Sequence, residues 1–252
     1  MRFFSTAVLM FAAWSLFISG APAPYDNLDE GLVAHYTFNY CDARDESGLG
    51  SHGEMIGNVG CWCGVERKGL LFDGREAYLR FPGPVNQYFT ESNFTISFYF
   101  KPEGYSLFPQ SMISKREDCD EYNMLDILFN SRDDRVETLV HETPEKYYPE
   151  LSPDLQDKGG WVHYVLVREG FKAMTYINGQ LQNEGYRCSG VDLTNEAFFS
   201  FGNSPCVREG RASRFKGVLD ELRVYDRALS ADEVLELYNL LPIENIFMDC
   251  DS

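Results

Sequence analysis

Residues 215–241 change period partway along, and that change constrains the fold more than any other stretch of the chain. The first half alternates, with Val218, Asp220, Leu222 and Val224 on one side and Leu219, Glu221, Arg223 and Tyr225 on the other. This is the period of a β-strand, and it puts an acid, Asp220, on the inward-leaning side. Behind it Val234, Leu235, Leu237 and Tyr238 recur at helical spacing. Ser230 and Glu233 form a Ser-x-x-Glu capping box, so the helix starts at Ser230. A closing strand that feeds a short helix needs a sheet, and the earlier sequence must supply it.

The supply is ample. Residues 31–39 alternate with Leu32, Ala34, Tyr36 and Phe38 on one face, and residues 93–101 alternate with Phe94, Ile96, Phe98 and Phe100 together. The second pattern reads as a strand in the heart of a sheet, its aromatic rings belonging to the core. Residues 68–74 and 77–81 read as two strands joined by an Asp-Gly turn. Shorter strands are expected at 111–115, 123–130, 135–141 and 197–202. Residues 161–168 and 171–180 form a hairpin through Glu169-Gly170, with an Asn178-Gly179 turn after it. His163 shares a face with Trp161 and Val165, so it is expected as a buried, hydrogen-bonded histidine.

These phrases, in this order, resemble the laminin-G-like jelly roll of the concanavalin A-like lectin/glucanase superfamily. The resemblance rests on Asp45-Glu-Ser-Gly-Leu-Gly50, Lys68-Gly-Leu-Leu-Phe-Asp-Gly74, Asn93-Phe-Thr-Ile-Ser-Phe-Tyr-Phe-Lys101, Trp161-Val-His163, Tyr176-Ile-Asn-Gly179 and the closing strand with Arg227-Ala-Leu-Ser230. It spans residues 31–241 and implies an all-β fold, a concanavalin A-like jelly-roll β-sandwich with a short C-terminal helix. It also implies that Asp45 and Asp220 lie near one another and, with carbonyls of the glycine-rich loop at 42–53, can hold a structural calcium, a hard cation that takes oxygen ligands. Without metal, Asp220 would instead hydrogen-bond the loop.

Residues 1–20 read as a secretory signal peptide, with Arg2 ahead of an apolar run from Ala7 to Ile18 and small residues after it. The run is well short of the ~20 residues that span a bilayer. Residues 21–252 are then one secreted domain with a short C-terminal tail, without a membrane span. The chain has 252 residues and a formal charge of −17, which argues against nucleic acid or an anionic membrane as partner. It suits calcium, a mineral surface or solubility.

All seven cysteines, Cys41, Cys61, Cys63, Cys119, Cys188, Cys206 and Cys250, follow the signal and read as disulfide candidates in an oxidising compartment. Cys61 and Cys63 point to one face of a strand and do not pair with each other. Cys41 with Cys61 or Cys63, and Cys188 with Cys206, are the expected local pairs. Cys250 is the expected odd residue, a free thiol or an intermolecular bridge, with a bond back to the body left open. Asn93-Phe-Thr95 is a glycosylation sequon.

No glutamate has an aspartate two residues on, so the paired carboxylates of a glycoside hydrolase strand are missing from the sequence. Asp118-Cys-Asp120 has the right spacing but belongs to an acidic loop at 116–121. No Gly-x-Ser-x-Gly, His-Glu-x-x-His or phosphate loop occurs. The expectation is therefore a non-catalytic binding module. Glycans are the first expected partner, with Tyr147 and Tyr148 of the proline-rich loop at 142–160 stacking on a sugar ring and Trp62 as a further platform. The alternative is an acidic extracellular matrix or biomineral component, and a glycoside hydrolase ranks last.

Overall fold

The computed structural model describes residues 28–156 and 159–246. The expected signal peptide and Cys250 lie outside that range. The strands in chain order are β1 Leu32–Tyr36, β2 Glu54–Ile56, β3 Gly60–Cys63, β4 Lys68–Asp73, β5 Tyr78–Phe81, β6 Phe94–Pro102, β7 Gln110–Lys115 and β8 Met124–Asn130. They continue as β9 Arg135–Thr143, β10 Lys146–Tyr147, β11 Val162–Glu169, β12 Lys172–Ile177, β13 Gln180–Tyr186, β14 Phe199–Phe201, β15 Ser213–Arg214 and β16 Lys216–Tyr225. A one-turn helix, α1 Pro205–Arg208, precedes β15, and α2 Ala231–Leu240 follows β16.

Two sheets face each other. The first has the order β13-β12-β11-β6-β16-β4-β3, with β1 also paired to β16, and the second β10-β9-β8-β7-β14-β5-β2, with β15 along β7. Every pairing is antiparallel except β15 with β7. Phe94, Ile96, Phe98 and Phe100 from β6 meet Leu125, Ile127 and Phe129 from β8 between the sheets, all buried. The architecture is the expected jelly-roll sandwich.

The centre of the first sheet is buried on its outer face as well, which explains the near-continuous apolar run of β11. There α2 lays Val234 and Leu237 over Val165, Val167 and Tyr225. The capping box forms: the Glu233 N–H donates to Ser230 Oγ at 3.2 Å, and the Ser230 N–H to the Glu233 carboxylate at 2.7 Å. His163, fully buried, shares a 2.8 Å hydrogen bond with Ser97 Oγ and stacks on Tyr99 at 4.4 Å. Burial, with Arg223 nearby, pushes it down to about 3, so it stays neutral.

One local expectation fails. The closing strand does not keep one phase, because a bulge between Asp220 and Arg223, with Glu221 at φ 48°, shifts the register against β6. Leu219 before the bulge and Leu222 and Val224 after it face the inter-sheet core, while Val218 packs on the outer layer with Tyr99 and Trp161. An extra residue in one strand resets the alternation. Asp73-Gly74 leads from β4 to β5 as expected, and the two strands belong to different sheets, since β4 pairs with β16 and β3 while β5 pairs with β14 and β2.

Candidate functional site

The outer face of the second sheet carries a row of polar side chains set by register. Glu54 pairs with Arg80, Arg80 with Ser200, Ser200 with Ser114, and Ser114 with Asp126. Cross-strand partners project to the same side, and the flanking Leu79, Phe81, Phe199 and Phe201 take the core side. Above this row stand α1 and the acidic loop at 116–121, tied together by a disulfide between Cys119 and Cys206. Between row and wall lies a cavity of about 220 Å3, lined among others by Arg80, Arg116, Phe198, Asn203, Ser204 and Arg208.

Each charge in the cavity has a distinct status. Arg80 donates from Nε to the Glu54 carboxylate at 2.9 Å, and its guanidinium lies 5.4 Å from the centre of the Phe198 ring. Arg116, buried, is ion-paired to Asp126 and donates from Nε to the Asp118 carbonyl at 2.7 Å. Burial pushes the Asp126 carboxyl up, and the neighbouring Arg116 and Ser114 pull against that. Arg208 is exposed, and its side chain makes no hydrogen bond or ion pair with another described residue. Ser204 is 2% exposed, yet its hydroxyl has no partner and does not cap α1. Phe198, 46% exposed, presents its ring at the rim.

The residues singled out from sequence are scattered. Trp62 is exposed on β3, an edge of the first sheet, and Tyr147 lies on β10, an edge of the second. One face of the Tyr147 ring is taken by His141, stacked at 4.7 Å. Tyr148 corrects the expectation outright: it is 2% exposed, and its hydroxyl donates to the Gly170 carbonyl at 2.6 Å, so its ring has no face to offer a sugar. Asn93 is exposed, and its Oδ1 accepts from the Gly170 N–H at 2.8 Å.

The cysteines also need correction. Cys41 pairs with Cys61 as one of the expected options. Cys206 pairs with Cys119 across 87 residues rather than with Cys188, because the loop after β7 and α1 meet over the second sheet. Among the described residues Cys188 is a free, exposed thiol. Cys63 is disulfide-bonded too.

Asp45 and Asp220 are both buried, but their partners are N–H groups rather than carbonyls. Asp45 accepts from the backbone of His35 at 3.0 Å, Ser47 at 2.9 Å and Ser51 at 2.8 Å. Asp220 accepts from Val65 at 2.7 Å, Glu66 at 3.3 Å and Glu221 at 2.9 Å. A cation would have to displace these donors, whose positive ends already point at the oxygens. The two carboxylates share no partner, and among the described residues no group of three or more His, Cys, Asp or Glu is placed to hold a metal. These residues do not fit a shared calcium.

Sequence reasoning missed the cavity. It is assembled from β5, β7, β14 and α1, and the available signal was the cluster Arg208, Arg211 and Arg214 in a strongly acidic chain. Among the described residues no helix is long and apolar enough to cross a membrane.

A family model described as the concanavalin A-like lectin/glucanases superfamily matches residues 73–235. No curated protein matches in sequence. Among solved structures, the chain is similar to domain 4 of a GH43 extracellular arabinanase from Geobacillus stearothermophilus, in complex with arabinotriose, at TM-score 0.64 and 22% identity, covering 82% of this chain and 98% of that one. It is also similar to the binding domain of Paraclostridial Mosquitocidal Protein 1, at 0.68 and 18%, covering 85% and 53%. A third is the binding domain of Botulinum Neurotoxin DC in complex with SialylT, at 0.67 and 12%, covering 85% and 52%. The chain thus spans about half the length of the toxin binding domains.

Proposed function

Because the chain belongs to the concanavalin A-like lectin/glucanases superfamily, we propose that it is a carbohydrate-binding module, secreted, that holds its ligand in the cavity over the second sheet without turning it over. The observation that carries this reading is the composition of the cavity. An exposed aromatic ring, Phe198, stands at the rim of a pocket whose other walls, besides Ala197 and Pro205, carry hydroxyl, amide and guanidinium groups. Sugars have an apolar face of C–H groups and a rim of hydroxyls, so a ring with nearby donors is the pairing they need.

The arabinanase domain in complex with arabinotriose supports the reading, since it is matched over nearly its whole length. Glycoside hydrolysis needs two carboxyl groups flanking the scissile bond. The lining of this cavity includes no carboxylate, which favours binding over turnover. The test is a panel of immobilised oligosaccharides, arabinotriose included, probed with the purified chain and with Phe198→Ala. Retention on at least one glycan, reduced about tenfold or more in the variant, is expected from loss of a stacking ring. Equal retention of both proteins would remove this cavity from consideration.

One observation favours a matrix role instead, the exposed free thiol of Cys188, which is open to cross-linking. Covalent dimers on a non-reducing gel that vanish in Cys188→Ser, together with calcium-dependent adsorption to carbonate and no retained glycan, would favour it.

A further inference from the structure

Resting on the carbohydrate reading above, we infer that the cavity over the second sheet is selective for an acidic saccharide, whose carboxylate or sulfate group sits between Arg208 and the Ser204 hydroxyl. The first ground is charge. The chain has 39 Asp and Glu against 22 Lys and Arg. Even so, the residues lining this cavity include Arg80, Arg116 and Arg208 and no acid at all. A random patch of so acidic a surface would be expected to carry carboxylates, and their exclusion leaves this cavity without a repelling acid in its lining.

The second ground is how those charges are committed. Arg80 is paired with Glu54 and Arg116 with Asp126, so both are neutralised and serve as walls. Arg208 alone keeps its donors unspent, and a guanidinium presents them in a planar fork that matches the two oxygens of a carboxylate or sulfate.

The third ground is independent of charge. The Ser204 hydroxyl is buried, lines the same cavity and has no hydrogen-bond partner among the described residues. A buried polar atom left unpaired is uncommon and destabilising, and an arriving acceptor oxygen would satisfy it. Ser204 is fixed by its place before α1, which the Cys119–Cys206 disulfide fastens to the neighbouring loop, so the donor is held before the ligand arrives.

The experiment titrates the full secreted chain with methyl glucuronide, methyl glucoside and inorganic sulfate, followed by NMR shifts or calorimetry. The acid sugar should bind at least tenfold more tightly than its neutral counterpart. Arg208→Gln, an exposed substitution, should remove most of that preference with an unchanged melting temperature, and Ser204→Ala should weaken glucuronide binding severalfold. Glucuronide and glucoside binding alike, or equal glucuronide affinity in Arg208→Gln, overturns the acidic-saccharide assignment and leaves the carbohydrate reading standing. Binding of sulfate with neither glycoside overturns the carbohydrate reading and retains an anion pocket. No binding of any of the three overturns the inference.

Discussion

Asp45 and Asp220 look alike on a list of buried carboxylates and behave in opposite ways. Each accepts three backbone N–H groups. At Asp45 burial pushes the carboxyl up, but the N–H groups of His35, Ser47 and Ser51 more than reverse this and leave it below the usual range. At Asp220 burial, joined by the adjacent Glu221 carboxylate, wins over its three donors and holds the group well above it. The same number of backbone donors leaves one carboxyl below the usual range and the other above it, according to depth and a neighbouring like charge. Asp45 works as a hub for the glycine-rich loop, and Asp220 as a packed strut beneath the turn at 64–66.

The difference should be largest where space decides. A Cβ on Gly64 would lie 2.2 Å from Asp220 Oδ2 and 2.8 Å from the Lys68 carbonyl carbon. Gly64→Ala should therefore cost about 3 kcal/mol in urea unfolding, through overpacking and loss of the strut's hydrogen bonds. Around Asp45 the counterpart is Gly48, with nothing within 4 Å and φ +87°. Gly48→Ala should cost only about 1 kcal/mol, from backbone strain. Equal costs would show that the turn at 64–66 can move away from Asp220.

Next come the carboxylates. Asp45→Asn replaces a charged acceptor of three N–H groups by an amide that donates toward some of them, with an expected loss of about 2 kcal/mol. Asp220→Asn also turns an amide donor toward backbone N–H groups, but it removes a charge that burial and the adjacent Glu221 disfavour, and should cost less, about 1 kcal/mol. The reverse order in paired denaturation curves would invert the roles assigned to the two acids.

Much of this frame was readable in the chain and its decisive details were not, for a physical reason. The capping box at Ser230 and the aromatic alternation of β6 are local, each fixed by residues within a few positions. The bulge at Glu221 is an extra residue within an otherwise regular pattern, so alternation alone put Leu219 and Leu222 on opposite sides, whereas both face the core. Cys119 with Cys206, and the cavity they wall, depend on segments 87 residues apart meeting over a sheet. Tyr147 ends β10 with its ring at the surface, whereas Tyr148, just past the strand, turns inward and bonds the Gly170 carbonyl, a contact made with a distant hairpin.

Acidity separates the two acids further. The folded-state value of Asp45 is depressed, so its stabilisation is full above the ordinary carboxylate value of ~3.9 and is lost as pH falls through the folded value. Asp220 has the opposite sign: its folded value is raised, the native state holds the proton more tightly, and stability falls as pH rises from ~3.9 through the folded value. Across a pH series of urea curves, the deficit of Asp45→Asn should shrink at the acid end. Asp220→Asn should gain on the parent as pH rises. Parallel profiles for parent and both variants would mean that neither acid is perturbed as described.

The smallest expected effect is that of calcium. A cation shared by Asp45 and Asp220 would need oxygens turned toward it, and the carboxylates instead point theirs at six backbone N–H groups on separate segments. Calcium coordination takes ~6 to 8 oxygens, and breaking these N–H contacts would leave buried donors unpaired at about 1 kcal/mol or more each. Any binding free energy would be consumed in that rearrangement, so millimolar calcium or a chelator should leave the melting temperature unchanged within about 1 °C. A calcium-dependent rise that disappears in Asp45→Ala combined with Asp220→Ala would show that the loop at 42–53 and the turn at 64–66 can rearrange around one ion, and the contrast between the two acids would then describe only the metal-free state.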